Sequence, residues 1–416
     1  MSEPAPGSSR AGGPPPRSNQ VLREILTSST LVSALAVLLA MLIGGVLIAA
    51  ARPEVQNSAT YLLSRPYDFF WYSWHAVGDA YQALFYGAVY NPDAATTAQK
   101  FKPITETLTM SVPLIFAGLG LGIGFRAGLF NIGAQGQIIL GAVVGGYIGF
   151  AMQLPPALHL VVAVLGAAAG GAFWGGIAGF LKARTGANEV IVTIMLNSVA
   201  LYLVAFLLTT SAFQRGDSNN PISPPIRESA RYPHLLGEGF RLHAGFLLAL
   251  LAAWGVWWLM ERSTIGFQFR AVGANPHAAR TAGMDVEQGY LWVMVIAGGL
   301  AGLGGSAQVL GTESALTAGV AATFGYDAIT VALLGRSKPL GTVLAAVLFG
   351  ALRAGGFAMQ ARTQVPTDLI LVMQSLIVLF IAAPPLVRGL FRLPVARDAA
   401  PINPVPATAE AKGSTV

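Results

Sequence analysis

The chain has 416 residues, of which 11% are charged, 54% hydrophobic and 49 are glycine, with a net charge of +6. A soluble domain carries about 25% charged residues, so the composition argues against a water-soluble enzyme and suits lipid, where a charge at the bilayer centre costs several kcal/mol. The cationic excess does not point to nucleic acid, because no basic run is interleaved with aromatics, and the absence of cysteine excludes disulfides and thiolate metal sites.

Residues 1–20 are rich in Pro, Gly, Ala and Ser and read as a disordered tail. Leu31 to Ala51 carries no charge and is long enough to cross the hydrocarbon core. Ala49, Ala50 and Ala51 before Arg52 also suit a signal-peptide cleavage site. The apolar core is longer than such a segment needs, however, and its leader is unusually long, so an uncleaved first helix is expected. Residues 52–103 form an outside segment rich in aromatics (Tyr61, Tyr67, Phe69, Phe70, Trp71, Tyr72, Trp74), which are favoured at the membrane interface.

Further spans are predicted at roughly 107–124, 132–153, 157–181, 189–209, 243–260, 289–310, 326–335, 340–357 and 368–387. The stretch 326–335 is too short to cross alone and reads as half of a broken helix behind the Gly-rich run from Thr312 to Gly325. Residues 211–241, with Pro221, Pro224, Pro225 and Pro233, read as an outside loop, residues 261–288 as an inside loop, and 394–416 as a second disordered tail. Short inside loops are then enriched in cations, including Lys182, Arg184, Arg262, Arg270, Arg280, Arg336 and Lys338. This fits the positive-inside rule and puts both termini in the cytoplasm. The fold class is an all-α polytopic membrane protein of about ten spans, with the membrane domain over 21–393.

Lipid gives no hydrophobic drive between helices, so close backbone approach has to supply association. Gly166 and Gly170, then Gly171, Gly175 and Gly179, notch one span; Gly118 with Gly122, Gly120 with Gly124, and Gly298 with Gly302 repeat the spacing. Plain packing is the preferred reading. The Gly118–Gly124 run follows no predicted strand, so it is not a dinucleotide loop.

Three polar groups stand in apolar surroundings. Glu189, Thr193 and Asn197, spaced by four, share a helix face directed at the protein interior or an aqueous path. Asn197 either lines that path or bonds neighbouring helices, while Glu189, after Asn188 at the helix start, suits the helix dipole and a structural role. Phe130, Asn131, Gln135 and Gln137 lie around the start of the third span, where Gly133 and Gly136 loosen the backbone and amides donate and accept together, as a base or ribose requires. The topology sets this motif towards the cytoplasmic side. Asp327 with Thr330 is the third candidate, with pairing to a cation as the structural alternative.

In the inside loop, Asn275 is a good N-cap, Pro276 suits the first helical position and Gly283 a C-terminal stop. The implied helix of about two turns is too short to stand alone and must dock, either internally or into a partner's groove.

This loop resembles the coupling helix of the permeases of ABC importers for simple sugars, nucleosides and branched-chain amino acids. Arg270, Gly273, Asn275, Pro276, Ala278, Ala279, Arg280 and Gly283 are its candidate ATPase contacts. Phe125–Gln137, Asn188–Asn197 and Gly325–Arg336 match the same family in order, so the resemblance covers about 104 to 388. Asn188–Asn197, Leu181–Arg184 and Asn220–Pro225 are most similar to the nucleoside branch, and Gln135 departs from a frequent Glu. The resemblance implies a type II ABC-importer fold in the bacterial cytoplasmic membrane. In the predicted topology spans two to five and seven to ten run in opposite senses, consistent with an inverted repeat. The resemblance also implies alternating access between two permease chains, the second a different and shorter protein, with nucleoside delivered by an extracytoplasmic binding lipoprotein.

The sequence has no Gly-x-x-x-x-Gly-Lys-Ser/Thr loop, so ATP and Mg are expected on a separate cytoplasmic ATPase, leaving this chain without cofactor, metal or catalytic residue and surrounded by membrane lipid. The same machinery carrying ribose or another simple sugar is the alternative within the class. An ion-coupled secondary transporter is the rival from another class, with Asp327 as its obvious coupling carboxylate. A membrane-embedded enzyme is disfavoured, because the five histidines are scattered without a His-Glu-x-x-His pattern.

Overall fold

The structure is a computed structural model that describes residues 29–216, 220–237, 239–366 and 368–392; the expected tails at 1–20 and 394–416 lie outside these. The chain divides into two compact units. The larger covers residues 40–378, and the smaller, among the described residues, covers 29–39 and 379–392.

The helices in chain order are α1 Ser29–Ala51, α2 Pro53–Ala59, α3 Pro66–Ala88, α4 Thr97–Arg126, α5 Ala134–Ala151, α6 Pro156–Thr185 and α7 Glu189–Leu207. They continue as α8 Gly245–Arg262, α9 Thr264–Ala274, α10 Pro276–Thr281, α11 Val286–Ser306, α12 Phe324–Leu334, α13 Pro339–Thr363, α14 Asp368–Ala382 and α15 Pro384–Leu390. Proline opens α2, α3, α6, α10, α13 and α15, in the first turn, where its missing N–H leaves no helical bond unmade. Among the described residues, eight helices are long and apolar enough to cross a bilayer, or nine if the broken pair α14 and α15 counts as one. The eleven-residue α12 is the short eighth span. The last predicted span is interrupted at Ala383, before Pro384 and Pro385.

Several helices overrun their apolar windows. α4 begins at Thr97 rather than near 107, because Thr96 caps it by accepting from the Gln99 N–H and its first turns carry Lys100, Lys102 and Glu106. α11 ends in a π-helical turn, Ala307–Thr312, which carries the buried Gln308. In the segment expected at the interface, α3 packs a face of small residues (Ala76, Ala80, Ala83) inward and exposes Phe70 and Trp74.

Glycine contacts organise the core of the larger unit. A Cβ at Gly171 would lie 2.6 Å from the Gly302 Cα, and one at Gly141 2.8 Å from the Gly302 carbonyl carbon, so α5, α6 and α11 meet backbone to backbone. The two glycine series of α6 serve different neighbours: Gly166 and Gly170 face α5, whereas Gly171, Gly175 and Gly179 face α11. In α4, Gly118 faces Val331 and Thr342 while Gly120 faces Ala297. Packing accounts for all of them.

The proline-containing segment after α7 forms no α-helix among its described residues. Ser223 is bonded to Leu316 through both backbone and hydroxyl, and the Tyr232 N–H donates to Leu310 O at 3.1 Å. Burial pushes the Tyr232 hydroxyl up to about 12, so it stays protonated and bonds Ser306 at 2.9 Å.

In the smaller unit, Val32, Ala36 and Val387 form a buried cluster with Leu35, Phe380, Ile381 and Phe391 against it.

Candidate functional site

The loop between α4 and α5 is largely buried, Gly128 and Phe130 apart, and after Leu129 its N–H groups no longer bond back to α4, so they need other partners. α7 provides them. Asn188 caps that helix, accepting from the Val190 and Ile191 N–H groups at 2.9 and 3.4 Å. Every fourth residue then meets the loop. Glu189 accepts from the Phe130 N–H at 3.4 Å and pairs with Lys182 at 2.8 Å. Thr193 accepts from the Ile132 N–H at 3.3 Å. Asn197 accepts from the Gly136 N–H at 2.8 Å and donates to Ile132 O at 2.9 Å. Thr193 and Asn197 are 1% and 4% exposed, and both ends of the Asn197 amide are engaged with the chain's own backbone.

Within the loop, Asn131 accepts from the Gly133 N–H at 2.8 Å, and its amide pairs with that of Gln137 at 3.3 and 3.4 Å. Gln135 reaches a different element. Its Nε2 donates to Ala322 O at 2.7 Å and its Oε1 accepts from the Gly325 N–H at 2.9 Å, joining the first turn of α5 to the start of α12. A carboxylate can only accept, so the amide found at this position suits the two opposite partners. Phe130, 41% exposed, stacks on Phe125 with centroids 5.0 Å apart.

Asp327 on α12 is held by Arg353 of α13 at 3.5 Å and accepts from the Thr323 hydroxyl at 3.0 Å. The Arg353 guanidinium also bonds Thr323 and lies 4.1 Å from the Phe324 ring centroid. The structural alternative for Asp327, pairing with a cation, is therefore realised, whereas Thr330 is simply buried. Sequence reasoning did not single out Arg353. The available signal was a lone cation in an apolar span, which demands a partner.

Residues 263–285 form a hairpin of α9 and α10. Ser263 caps α9 through the Gly266 N–H at 3.0 Å. Asn275 caps α10 through the N–H groups of His277 and Ala278 at 3.0 and 3.1 Å, with Pro276 at the first helical position and Gly283 at φ +83° beyond the end. Arg270 and Gly273 are half-buried on α9. Ala279, expected as a partner contact, instead points inward, 4% exposed against Val272 and Val286, because a six-residue helix must bury its one apolar side to be held. His277, Ala278 and Arg280 are exposed, and Arg280 is ion-paired with Glu287.

A family described as "Branched-chain amino acid transport system / permease component" matches residues 104–382, which include the α4–α5 loop, α7, the hairpin and the Asp327–Arg353 pair. The chain is 39% identical over 281 residues to the guanosine ABC transporter permease protein NupP of Bacillus subtilis, covering 67% of this chain and 81% of that one. A glucose ABC transporter permease protein of Haloferax volcanii is 38% identical over 287 residues, 67% of this chain and 75% of its own. The nucleoside ABC transporter permease protein NupB of Lactococcus lactis is 33% identical over 292 residues, 68% and 79% respectively. No solved structure matches.

Proposed function

The chain belongs to the permease-component family of branched-chain amino acid transport systems, and from that membership we propose that it carries nucleosides across the cytoplasmic membrane as the membrane-spanning subunit of an ATP-binding cassette importer. The observation that carries the substrate class is the 39% identity to a guanosine permease, over a match that covers four fifths of that protein. The multi-pass apolar helices and the chain's role as a transport subunit accord with it.

In this reading the N- and C-termini face the cytoplasm, and the α9–α10 hairpin docks on a separate ATPase that binds ATP and Mg and hydrolyses the nucleotide. A binding lipoprotein delivers nucleoside from outside. A second, different permease completes the path; the apolar face of α7, with Met195 56%, Tyr202 72% and Phe206 64% exposed, is available to it as well as to lipid. The pathway candidates are Phe130, Asn131, Gln135, Gln137, Thr193, Asn197 and Asp327. Of these, Phe130 presents the most open side chain; Asn131, Gln137, Thr193 and Asn197 bond one another or the α4–α5 loop, and Gln135 and Asp327 are engaged at the start of α12. Pairing with Arg353 leaves Asp327 a poor coupling carboxylate, which weighs against ion-driven transport.

A sugar is the second reading, favoured by the 38% identity to a glucose permease. Uptake of labelled uridine, adenosine, ribose and glucose, with and without the chain and before and after ATP depletion, separates the two. Loss of ATP-dependent nucleoside uptake alone is expected. Loss of sugar uptake instead would keep the importer and remove the nucleoside, and uptake surviving ATP depletion would remove the importer.

A further inference from the structure

The end of α9 touches the α4–α5 loop without any side chain between them. A methyl on Gly273 would overlap the Arg126 carbonyl oxygen and lie 2.7 and 2.9 Å from the carbonyl carbon and Cα of Ala127. On the other side, Gly128 has φ +74°, and a Cβ there would be 3.2 Å from the Gly273 Cα. Such a contact has no rotamers through which to yield, so displacement of one backbone displaces the other.

What lies on each side of this contact gives it a direction. Gly273 stands just before the Asn275 cap of α10, the short helix whose exposed face is offered to a partner. α9 is an arm of about 16 Å at 1.5 Å per residue. Its far end is fixed where Gly266 packs on the backbone of Leu259 and Met260, beside the Arg126–Glu261 ion pair at 2.7 Å. Beyond Gly128, the loop is pinned by Glu189 at Phe130, by Thr193 and Asn197 at Ile132, and by Asn197 at Gly136. It therefore has little slack before Gln135, which holds both Ala322 and Gly325 at the start of α12.

We infer that the Gly273–Gly128 backbone contact is the joint through which movement of the α9–α10 hairpin reaches the α5–α12 contact; this rests on the functional reading above. Gly273 and Gly128 are positioning residues, acting through the loop rather than on substrate. A purely structural contact would leave the ratio of transport to hydrolysis unchanged in any complex that assembles.

The test uses the complete importer in liposomes, reading substrate moved per ATP hydrolysed. For Gly128→Ala, whose Cβ would lie 3.2 Å from the Gly273 Cα and which is not among the candidate ATPase contacts, the expected result is an assembled complex that hydrolyses ATP at the native rate and moves about tenfold less substrate per ATP. An assembled variant with an unchanged ratio overturns the joint while leaving the importer reading intact. If Gly128→Ala does not assemble, hydrogen exchange on the native complex decides. A non-hydrolysable ATP analogue should change protection of 126–133 and 264–274 together, and a change in 264–274 alone overturns the joint. A native complex without ATP-driven uptake overturns the importer reading, and the joint falls with it.

Discussion

Gln135 and Gly325, from opposite halves of the family match, meet at the first turns of α5 and α12, with the Gly325 N–H donating to the Gln135 side-chain oxygen at 2.9 Å. The same side chain donates to Ala322 O, so one amide of α5 satisfies an acceptor and a donor of the single backbone segment that enters α12. Gln135→Leu leaves the buried Gly325 N–H without a partner, at a cost of about 1–3 kcal/mol, and also removes the bond to the carbonyl of the exposed Ala322. The variant should insert, denature at a lower temperature in detergent and lose most of its uptake. Gln135→Glu retains the bond from Gly325 but sets an acceptor against Ala322 O, so its uptake should be lower at neutral pH than at acid pH, where a protonated carboxyl can donate again.

A parallel argument applies to Asn197. Its two bonds are to Gly136 N and Ile132 O, and leucine can make neither. Asn197→Leu should therefore reduce the yield of folded, assembled complex by about 2–3 kcal/mol of lost stability. Thr193→Val, which loses the acceptor for Ile132 N and the hydroxyl's own bonds back to Glu189 O and Val190 O in the preceding turn, should cost about 1 kcal/mol. Full assembly of Asn197→Leu with reduced uptake would restore the alternative in which Asn197 lines the path.

The Asp327–Arg353 pair lends itself to a double-mutant cycle. Both side chains are 14% exposed, so removing one strands the other's charge. Breaking a buried pair costs about 3–5 kcal/mol, whereas replacing both partners with apolar residues is often neutral. Asp327→Leu and Arg353→Met should each lower the thermal midpoint strongly, and the double variant should recover most of the loss. Additive losses would mean that each residue has a separate role.

These sites differ in how much of them could be read from sequence, and the reason is the range of the interaction. Asn275 was legible as a cap because a cap bonds two and three residues ahead. The glycine series and the apolar spans were legible because packing and the bilayer each impose a period or a length. The stripe Glu189–Thr193–Asn197 was visible as a polar face, but its partner was not, since Asn197 and Gly136 lie 61 residues apart. Gln135 and Gly325 are 190 apart, and no local pattern joins them. In α3 the conspicuous aromatics drew attention, while the packing signal was the small-residue series Ala76, Ala80, Ala83. The inward turn of Ala279 was hidden because six residues are too few to display a face.

That last point changes which residue tests docking of the hairpin. Ala279 is buried between Val272 and Val286, so Ala279→Glu forces a charge into an apolar contact inside the chain itself. It should unfold the hairpin, expose 264–286 to protease and abolish transport whether or not an ATPase binds there. Ala278 is exposed beside it, and its N–H is already engaged by Asn275, so Ala278→Glu changes the outward surface without disturbing the cap. The expected outcome is a chain that inserts, resists protease at the hairpin like the native one and no longer retains the ATPase on co-purification. Native ATPase retention in Ala278→Glu would sink docking through the face of α10. Retention in Ala279→Glu with an intact hairpin would show that Ala279 lies outside the internal core described above.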